Sequence, residues 1–384
     1  MKSARKILSL LLVVILIAVS CVFTSANAAD ATRLLSRNEI EWQSVKENTD
    51  LLNYFYELNP DKDYDGKYFP DYYGGSLIDS DGGLIVMLTD NSGKEVVNSF
   101  VHNVKFVSCE YSYSELVQTI NSINAKFARL GADDVHKNLL VEMSLLDKDN
   151  VIEVVLRDNS NKTIKWFTEN ISNKPYLRFV KIQKEPGLDM NYSGQDISTS
   201  SGTLLSSAFR VKRYTDSGLK YGFITCAHGN SLFQTIKGAD GSVIGTVQLR
   251  NHSGNMDASY VQMSSSSNYS NVMHGSPYTL NDENDDLFYP VYNQVVGIFA
   301  RHHQNDYGVV NCTNYSHTVE GVTLSGIYKA TYPRSGGDSG GLIASSPVNY
   351  HCNPGGIHRG YASNGNAVFT SATKVINYFY FMRY

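Results

Sequence analysis

A six-residue run, Gly336-Gly337-Asp338-Ser339-Gly340-Gly341, constrains local folding more than any other stretch of this 384-residue chain. Glycine has no Cβ, weakens helix and strand interiors, and permits left-handed backbone and close approach of other atoms. A run this rich in glycine dictates a tight turn. The turn lifts one hydroxyl, that of Ser339, into a cleft, with backbone N–H groups aimed at the same point. Those are the parts of an acyl-transfer site, a nucleophile beside an oxyanion hole. A merely flexible loop is the plainer reading. What separates the two is whether the chain also supplies a base and a group to orient it.

Serine is a weak nucleophile at its own pKa and needs a base within hydrogen-bond reach. Thr225-Cys226-Ala227-His228 follows the apolar run Tyr221-Gly222-Phe223-Ile224 and offers His228 as that base. Asp257 opens Asp257-Ala258-Ser259-Tyr260-Val261 after the turn-like Asn251-His252-Ser253-Gly254-Asn255, and offers a carboxylate to fix the His228 tautomer. Singly, each has an ordinary structural explanation: a core histidine, a turn aspartate. Together they stand in the order His228, Asp257, Ser339, at separations of 29 and 82 residues. That is one of three unrelated chain orders in which such triads occur.

These motifs resemble those of the chymotrypsin-like serine proteases, in the compact secreted bacterial branch that includes alpha-lytic protease and the streptogrisins. The T-C-A-H segment is similar to the motif carrying the base, Asp257-Ala258-Ser259 to the motif carrying the aspartate, and Gly337-Asp338-Ser339-Gly340-Gly341 to the motif carrying the nucleophile. The resemblance covers residues 191–384, about half the chain. It implies a catalytic triad of His228, Asp257 and Ser339, with the oxyanion on the N–H groups of Gly337 and Ser339. It implies a peptide hydrolase with no cofactor and no metal, acting on protein or peptide substrates as a monomer. The alternatives are a protease-fold binding module without catalysis and an acyl hydrolase that does not cut peptides.

The N-terminus bears on destination. Lys2, Arg5 and Lys6 precede an apolar run from Ile7 to Phe23, and Ala26-Asn27-Ala28 follows. A charged segment, an apolar segment and a small-residue site read as a secretory signal, residues 1–28, cut after Ala28. Lipid attachment at Cys21 is the second possibility. The expected product is extracellular, with no membrane segment once the signal is gone. Residues 30–190 then carry a net charge of −8 and residues 191–384 a net charge of +1. This step supports a boundary near residue 190, giving an N-terminal pro or accessory domain over 29–190 and a protease domain over 191–384. Neither half has the basic stripe of a nucleic-acid binder. Five cysteines, one of them in the signal, are too few for a disulfide framework, and pairing cannot be read from sequence.

The texture of the chain changes at the same place. The first half mixes helical and strand patterns: helix over 37–59, an aromatic turn region over 68–75, strand over 83–88, helix over 112–130 with Ser114 as cap, strands over 139–146 and 151–156, helix over 164–171 and strand over 176–182. That α/β half resembles the propeptides of the same protease branch and is the catalytic half's expected partner. From Gly202 short β-rich runs alternate with Gly, Asn, Ser and Asp clusters, including one run from Thr318 to Tyr328. Such runs suggest an all-β barrel or sandwich. The family resemblance sharpens this to two six-stranded antiparallel barrels with the site between them, closed by a C-terminal helix over 371–383.

Substrate choice has one pointer. Gly355-Gly356-Ile357-His358-Arg359-Gly360-Tyr361 is similar to the pocket-wall motif of glutamyl endopeptidases, which implies His358 as a ligand for an acidic side chain. The alternative is a plain strand histidine. Arg359 stands where serine is commoner, either adding a second positive charge or facing solvent. Gly360 and Tyr361 continue the wall. Pro333, six residues before the nucleophile, offers no carboxylate to a Lys or Arg substrate. Acidic specificity makes Asp189-Met190 a candidate for self-cleavage. Asp61 to Gly66 starts like a calcium loop but lacks the acidic twelfth residue. His302-His303 and Asp282 to Asp286 read as surface loops.

Overall fold

The computed structural model describes residues 37–58, 69–183, 186–188, 197–264, 270–273, 276–281 and 287–384. The signal segment, Cys21, the Asp61–Gly66 loop, the Asp282–Asp286 loop and the Asp189-Met190 bond lie outside the described residues.

The N-terminal half begins with helix α1, residues 37–57. Strands β1 (Tyr73–Ile78) and β2 (Leu84–Leu88) form a hairpin beside it, and helix α2 (Lys94–Phe100) leads to β3 (Lys105–Ser108), which runs parallel to β2. Tyr73 and Gly75 therefore open a strand where an aromatic turn was expected. Helix α3 (Tyr113–Arg129) is capped by Ser112, whose Oγ accepts the Glu115 N–H. Ser112 and Glu115 have the spacing of a capping box. The expected cap, Ser114, instead lies buried in the first turn and accepts from the Gln118 amide.

Strands β4 (Leu140–Leu146) and β5 (Val151–Leu156) pair antiparallel, helix α4 (Asn161–Asn170) follows, and β6 (Leu177–Lys181) returns parallel to β5. The apolar stripe of α3 (Leu116, Ile120, Ile123) packs on Met143, Leu145, Ile152 and Val154 of this sheet. Last in this half is the two-residue strand β7 (Gly187–Leu188).

The C-terminal half is built from two β bodies. The first contains β8 (Ile197–Thr199), β9 (Leu204–Leu205), β10 (Arg210–Thr215), β11 (Gly218–Thr225), β12 (Thr235–Gly238), β13 (Val243–Ser253) and β14 (Met256–Met263), in the order β10-β11-β14-β13-β12-β8-β9. Inward residues Phe223, Ile236, Val247 and Val261 fill it. A short parallel pair, β15 (Thr279–Leu280) with β20 (His351–Cys352), lies outside both bodies. The second body contains β16 (Val295–Phe299), β17 (Asp306–Val319), β18 (Val322–Ala330), β19 (Leu342–Ser345), β21 (Pro354–Tyr361) and β22 (Ala367–Ser371). Its order is β16-β19-β21-β22-β18-β17, and β16 also pairs with β17, so six strands close into a barrel. The run from Thr318 to Tyr328 is not one strand. It turns at Glu320-Gly321, both with positive φ, as a two-residue hairpin requires. Helix α5 (Ala372–Phe379) buries Val375, Ile376 and Phe379 against Met256, Ala258 and Tyr260 of the first body, tying the two bodies together.

The halves share a sheet. The outer edge of β17 pairs antiparallel with β4, aligning Tyr315 with Ser144 and His317 with Glu142, and β5 and β6 continue beyond. Edge strands seek such pairing because their N–H and C=O groups are otherwise unmatched.

Candidate active site

The cleft between the two bodies brings together three residues that the sequence separates widely. Strand β11 ends at Thr225 and turns into His228, and β14 starts at Met256-Asp257. Both lie at one end of the first body, because β11 and β14 are paired neighbours. Ser339 sits in the turn before β19 of the second body. His228 Nδ1 lies 2.6 Å from Asp257 Oδ2, and His228 Nε2 lies 3.0 Å from Ser339 Oγ. The other carboxylate oxygen, Oδ1, accepts the backbone N–H groups of Ala227 at 2.7 Å and His228 at 3.0 Å. A carboxylate held from both sides fixes the imidazole with Nδ1 protonated and Nε2 facing the hydroxyl.

Burial sets the electrostatics. It opposes protonation of His228, but the Asp257 carboxylate outweighs it and raises the imidazole above its ordinary pKa. Burial would likewise raise Asp257. The charges of His228 and Arg359, with the hydrogen bond from His228, reverse this and hold the carboxyl well below the usual range.

The nucleophile turn is pinned on all sides. Gly337 has φ +99 and Gly340 φ +87, both in the left-handed region. A Cβ on Gly340 would stand 2.2 Å from Thr225 Oγ1 and 2.3 Å from the Ser206 carbonyl oxygen. Ser206 ties the turn across the cleft: its Oγ donates to the Gly337 carbonyl and its N–H to the Ser339 carbonyl. The Asp338 carboxylate accepts the N–H groups of His302 at 2.8 Å and Ser335 at 2.7 Å. His303 bridges Asp306 and Ser335. The His302-His303 pair thus braces the turn, and among the described residues no cluster suits a metal ion.

The candidate pocket residues lie at a β-bulge in β21, where Arg359 is the extra residue between His358, opposite Phe369, and Gly360, opposite Val368. His358 is fully buried, its Nδ1 3.0 Å from the Tyr332 hydroxyl, with the rings edge to face. The sequence reading missed Tyr332. Its neighbour Pro333 is exposed. Arg359 is neither in the pocket nor in solvent, which corrects both expectations for it. It is 1% exposed, and its Nε donates to Asp257 Oδ2 at 3.0 Å. Its backbone carbonyl oxygen lies 3.0 Å from Ser339 Oγ. Gly360 and Tyr361 form an edge with which Leu188 and Gly187 of β7 pair antiparallel. The Arg334 guanidinium covers the Tyr361 ring at 3.9 Å.

The four described cysteines, Cys109, Cys226, Cys312 and Cys352, are free thiols. Among the described residues no helix is long and apolar enough to cross a membrane.

Comparison with known proteins adds two findings. Residues 25–127 match the family model of a Pro-like N-terminal domain, and residues 114–182 that of a Pro-like C-terminal domain. Among solved structures, a chymotrypsin of Cellulomonas bogoriensis matches at 18% identity, over 50% of this chain and 98% of that one, with a TM-score of 0.39. A glutamic-acid-specific serine protease described as using a histidine triad in substrate binding matches at 20% identity, over 50% and 99%, with a TM-score of 0.39. Protease A of Thermobifida fusca matches at 18% identity, over 50% and 97%, with a TM-score of 0.40. No curated protein matches the chain. Residues 25–182 thus match Pro-like domain models, and the chain is similar in fold to chymotrypsin-like serine proteases of bacteria.

Proposed function

We propose that this chain is a secreted serine endopeptidase made as a precursor, with a signal over residues 1–28, a prodomain over 29–190 and a catalytic domain over 191–384. The observation that carries the reading is the hydrogen-bond line Asp257–His228–Ser339, in which all three side chains are buried and mutually oriented. Ser339 Oγ attacks the scissile carbonyl carbon while its proton passes to His228 Nε2. Asp257 stabilises the imidazolium that forms. The N–H groups of Gly337 and Ser339 receive the oxyanion, a contribution typically worth about 3 kcal/mol for each donor. The tetrahedral intermediate collapses, His228 returns its proton to the leaving amine, and water repeats the sequence on the acyl-enzyme.

The Gly355–Tyr361 segment and the His358–Tyr332 contact support a preference for Glu or Asp before the scissile bond. In this reading the buried His358 imidazole, its Nδ1 held 3.0 Å from the Tyr332 hydroxyl, would receive the substrate carboxylate, and hydrogen bonds to a carboxylate are the strong kind. Maturation follows from the same preference. Gly187-Leu188 runs antiparallel along Gly360-Tyr361, as a bound peptide adds a strand to a sheet edge. The next bond but one, Asp189-Met190, is the site of self-cleavage in this reading, and N-terminal sequencing of the secreted form should start at Met190.

The test is labelling of the matured protein with an organophosphorus serine reagent. One equivalent on Ser339, lost in Ser339→Ala, supports the reading. Absence of label on correctly folded protein would overturn it, and label without peptide cleavage would leave an acyl hydrolase.

A further inference from the structure

Arg359 is a single cation between two buried carboxylates, one in each half of the chain. On one side its Nε donates to Asp257 Oδ2, the oxygen that also takes the His228 proton. On the other side its Nη1 donates to His317 Nε2. His317 is fully buried, and burial together with Arg359 holds its pKa well below the ordinary value, so the ring is neutral and Nδ1 carries the hydrogen. That hydrogen points to the Tyr315 hydroxyl at 3.3 Å, and Tyr315 donates in turn to Glu142 Oε2 at 2.5 Å. Glu142 also accepts from the Ser363 backbone N–H and hydroxyl, at 3.0 and 2.7 Å. The donors thus run one way, from Arg359 through His317 and Tyr315 to a carboxylate of the N-terminal half. The β17–β4 register, which sets His317 opposite Glu142, builds this chain.

Resting on the hydrolase reading, we propose that Arg359 is a positioning residue that holds Asp257 from behind and takes up part of its charge, and that Glu142 of the N-terminal half governs how much of that cation the His228–Asp257 pair feels. A carboxylate already neutralised by a fixed cation stabilises an imidazolium less well, so Arg359 keeps His228 in its basic form at lower pH. Glu142, an anion on the far side, offsets it. The other groups facing the pair are Cys226 beside His228, and His252 and Arg250 of β13, with His252 Nε2 3.9 Å from Asp257 Oδ2. Lys329 of β18 faces Tyr315 and donates to Ser144. None of these bridges the two carboxylates. A structural filler at position 359 would pack without this charge effect, and that difference is measurable.

The experiment is a histidine ¹⁵N titration of His228 in the full chain, with Ser339→Ala in every sample to prevent self-cleavage. Arg359→Ser should raise the His228 pKa by about one unit, Arg359→Lys should restore most of the parent value, and Glu142→Gln should lower it. An unchanged pKa in folded Arg359→Ser overturns the positioning role, and an unchanged pKa in Glu142→Gln overturns the link to the N-terminal half. Should the serine variant not fold, the Arg359 Nε–H resonance of the parent decides: it shifts with the His228 titration in this account, and a static resonance overturns it. Serine-reagent labelling of the matured parent is a separate readout, and its failure would sink the hydrolase reading instead.

Discussion

Asp257→Asn separates what the carboxylate does for the reaction from what it does for the fold. In the parent, the Asp257 carboxylate accepts four hydrogen bonds and donates none. An amide in its place keeps the two backbone N–H partners by turning its oxygen toward Ala227 and His228. Its NH₂ then faces His228 Nδ1 and Arg359 Nε, both donors in the parent. His228 must take the other tautomer, with Nε2 protonated toward Ser339, where it can no longer accept the hydroxyl proton. The same exchange in a Ser-His-Asp triad costs about 10⁴-fold in kcat, close to 5 kcal/mol of barrier. Stability suffers independently. Arg359 is left fully buried with a donor facing a donor, and stripping one partner from a buried ion pair costs about 3–5 kcal/mol. The assay is ester and peptide hydrolysis by matured protein, beside urea denaturation of the full chain. Adding Arg359→Gln to Asp257→Asn should recover much of the stability and none of the rate. A folded Asp257→Asn protein within tenfold of the parent rate would refute the reasoning.

Three further outcomes follow. Gly340→Ala introduces a Cβ into backbone at φ +87 and against Thr225 and Ser206; active protein with an unshifted melting temperature would contradict the packing described. His358→Val should lower kcat/KM for substrates with Glu before the scissile bond by at least tenfold while sparing those with Leu or Phe, and an equal loss for both would remove His358 from specificity. Burial raises Glu41 and Asp147 each to about 7; because the folded form binds these protons more tightly than the unfolded chain, their contribution is full below about pH 4 and fades as pH rises to 7. Asp147 accepts from Thr313 across the junction of the halves, so Asp147→Asn should flatten the pH dependence of the melting temperature between pH 4 and 7.

The parts of the site legible in the sequence are those whose chemistry is local. Gly337 and Gly340 announce a left-handed turn wherever they occur, and His228 and Asp257 each follow a recognisable strand or turn pattern. The β-rich second half was legible for the same reason, since short alternating runs and Gly-Asn punctuation act over a few residues. What escaped depends on distant partners. The neighbouring His358 points to a pocket role for Arg359, yet a bulge in β21 carries its guanidinium to Asp257, 102 positions earlier in the chain. Tyr332 gave no sign of meeting His358, because its position depends on the barrel closing. The run from Thr318 to Tyr328 hid a turn, because Glu320-Gly321 is a short break in an otherwise strand-forming stretch. Ser112 was passed over as helix cap although Glu115 completes its capping box, a signal that was available. The β4–β17 pairing joins residues more than 170 positions apart, and no local pattern encodes it.

A cleavage map bears most directly on Ser339 as nucleophile. An unfolded protein mixture is digested with the secreted, matured form and, in parallel, with Ser339→Ala, and new termini are read by mass spectrometry. The account predicts cuts from the parent alone, enriched for Glu or Asp immediately before the cut. Equal cutting by both proteins, or none from matured protein that binds the serine reagent, would contradict it.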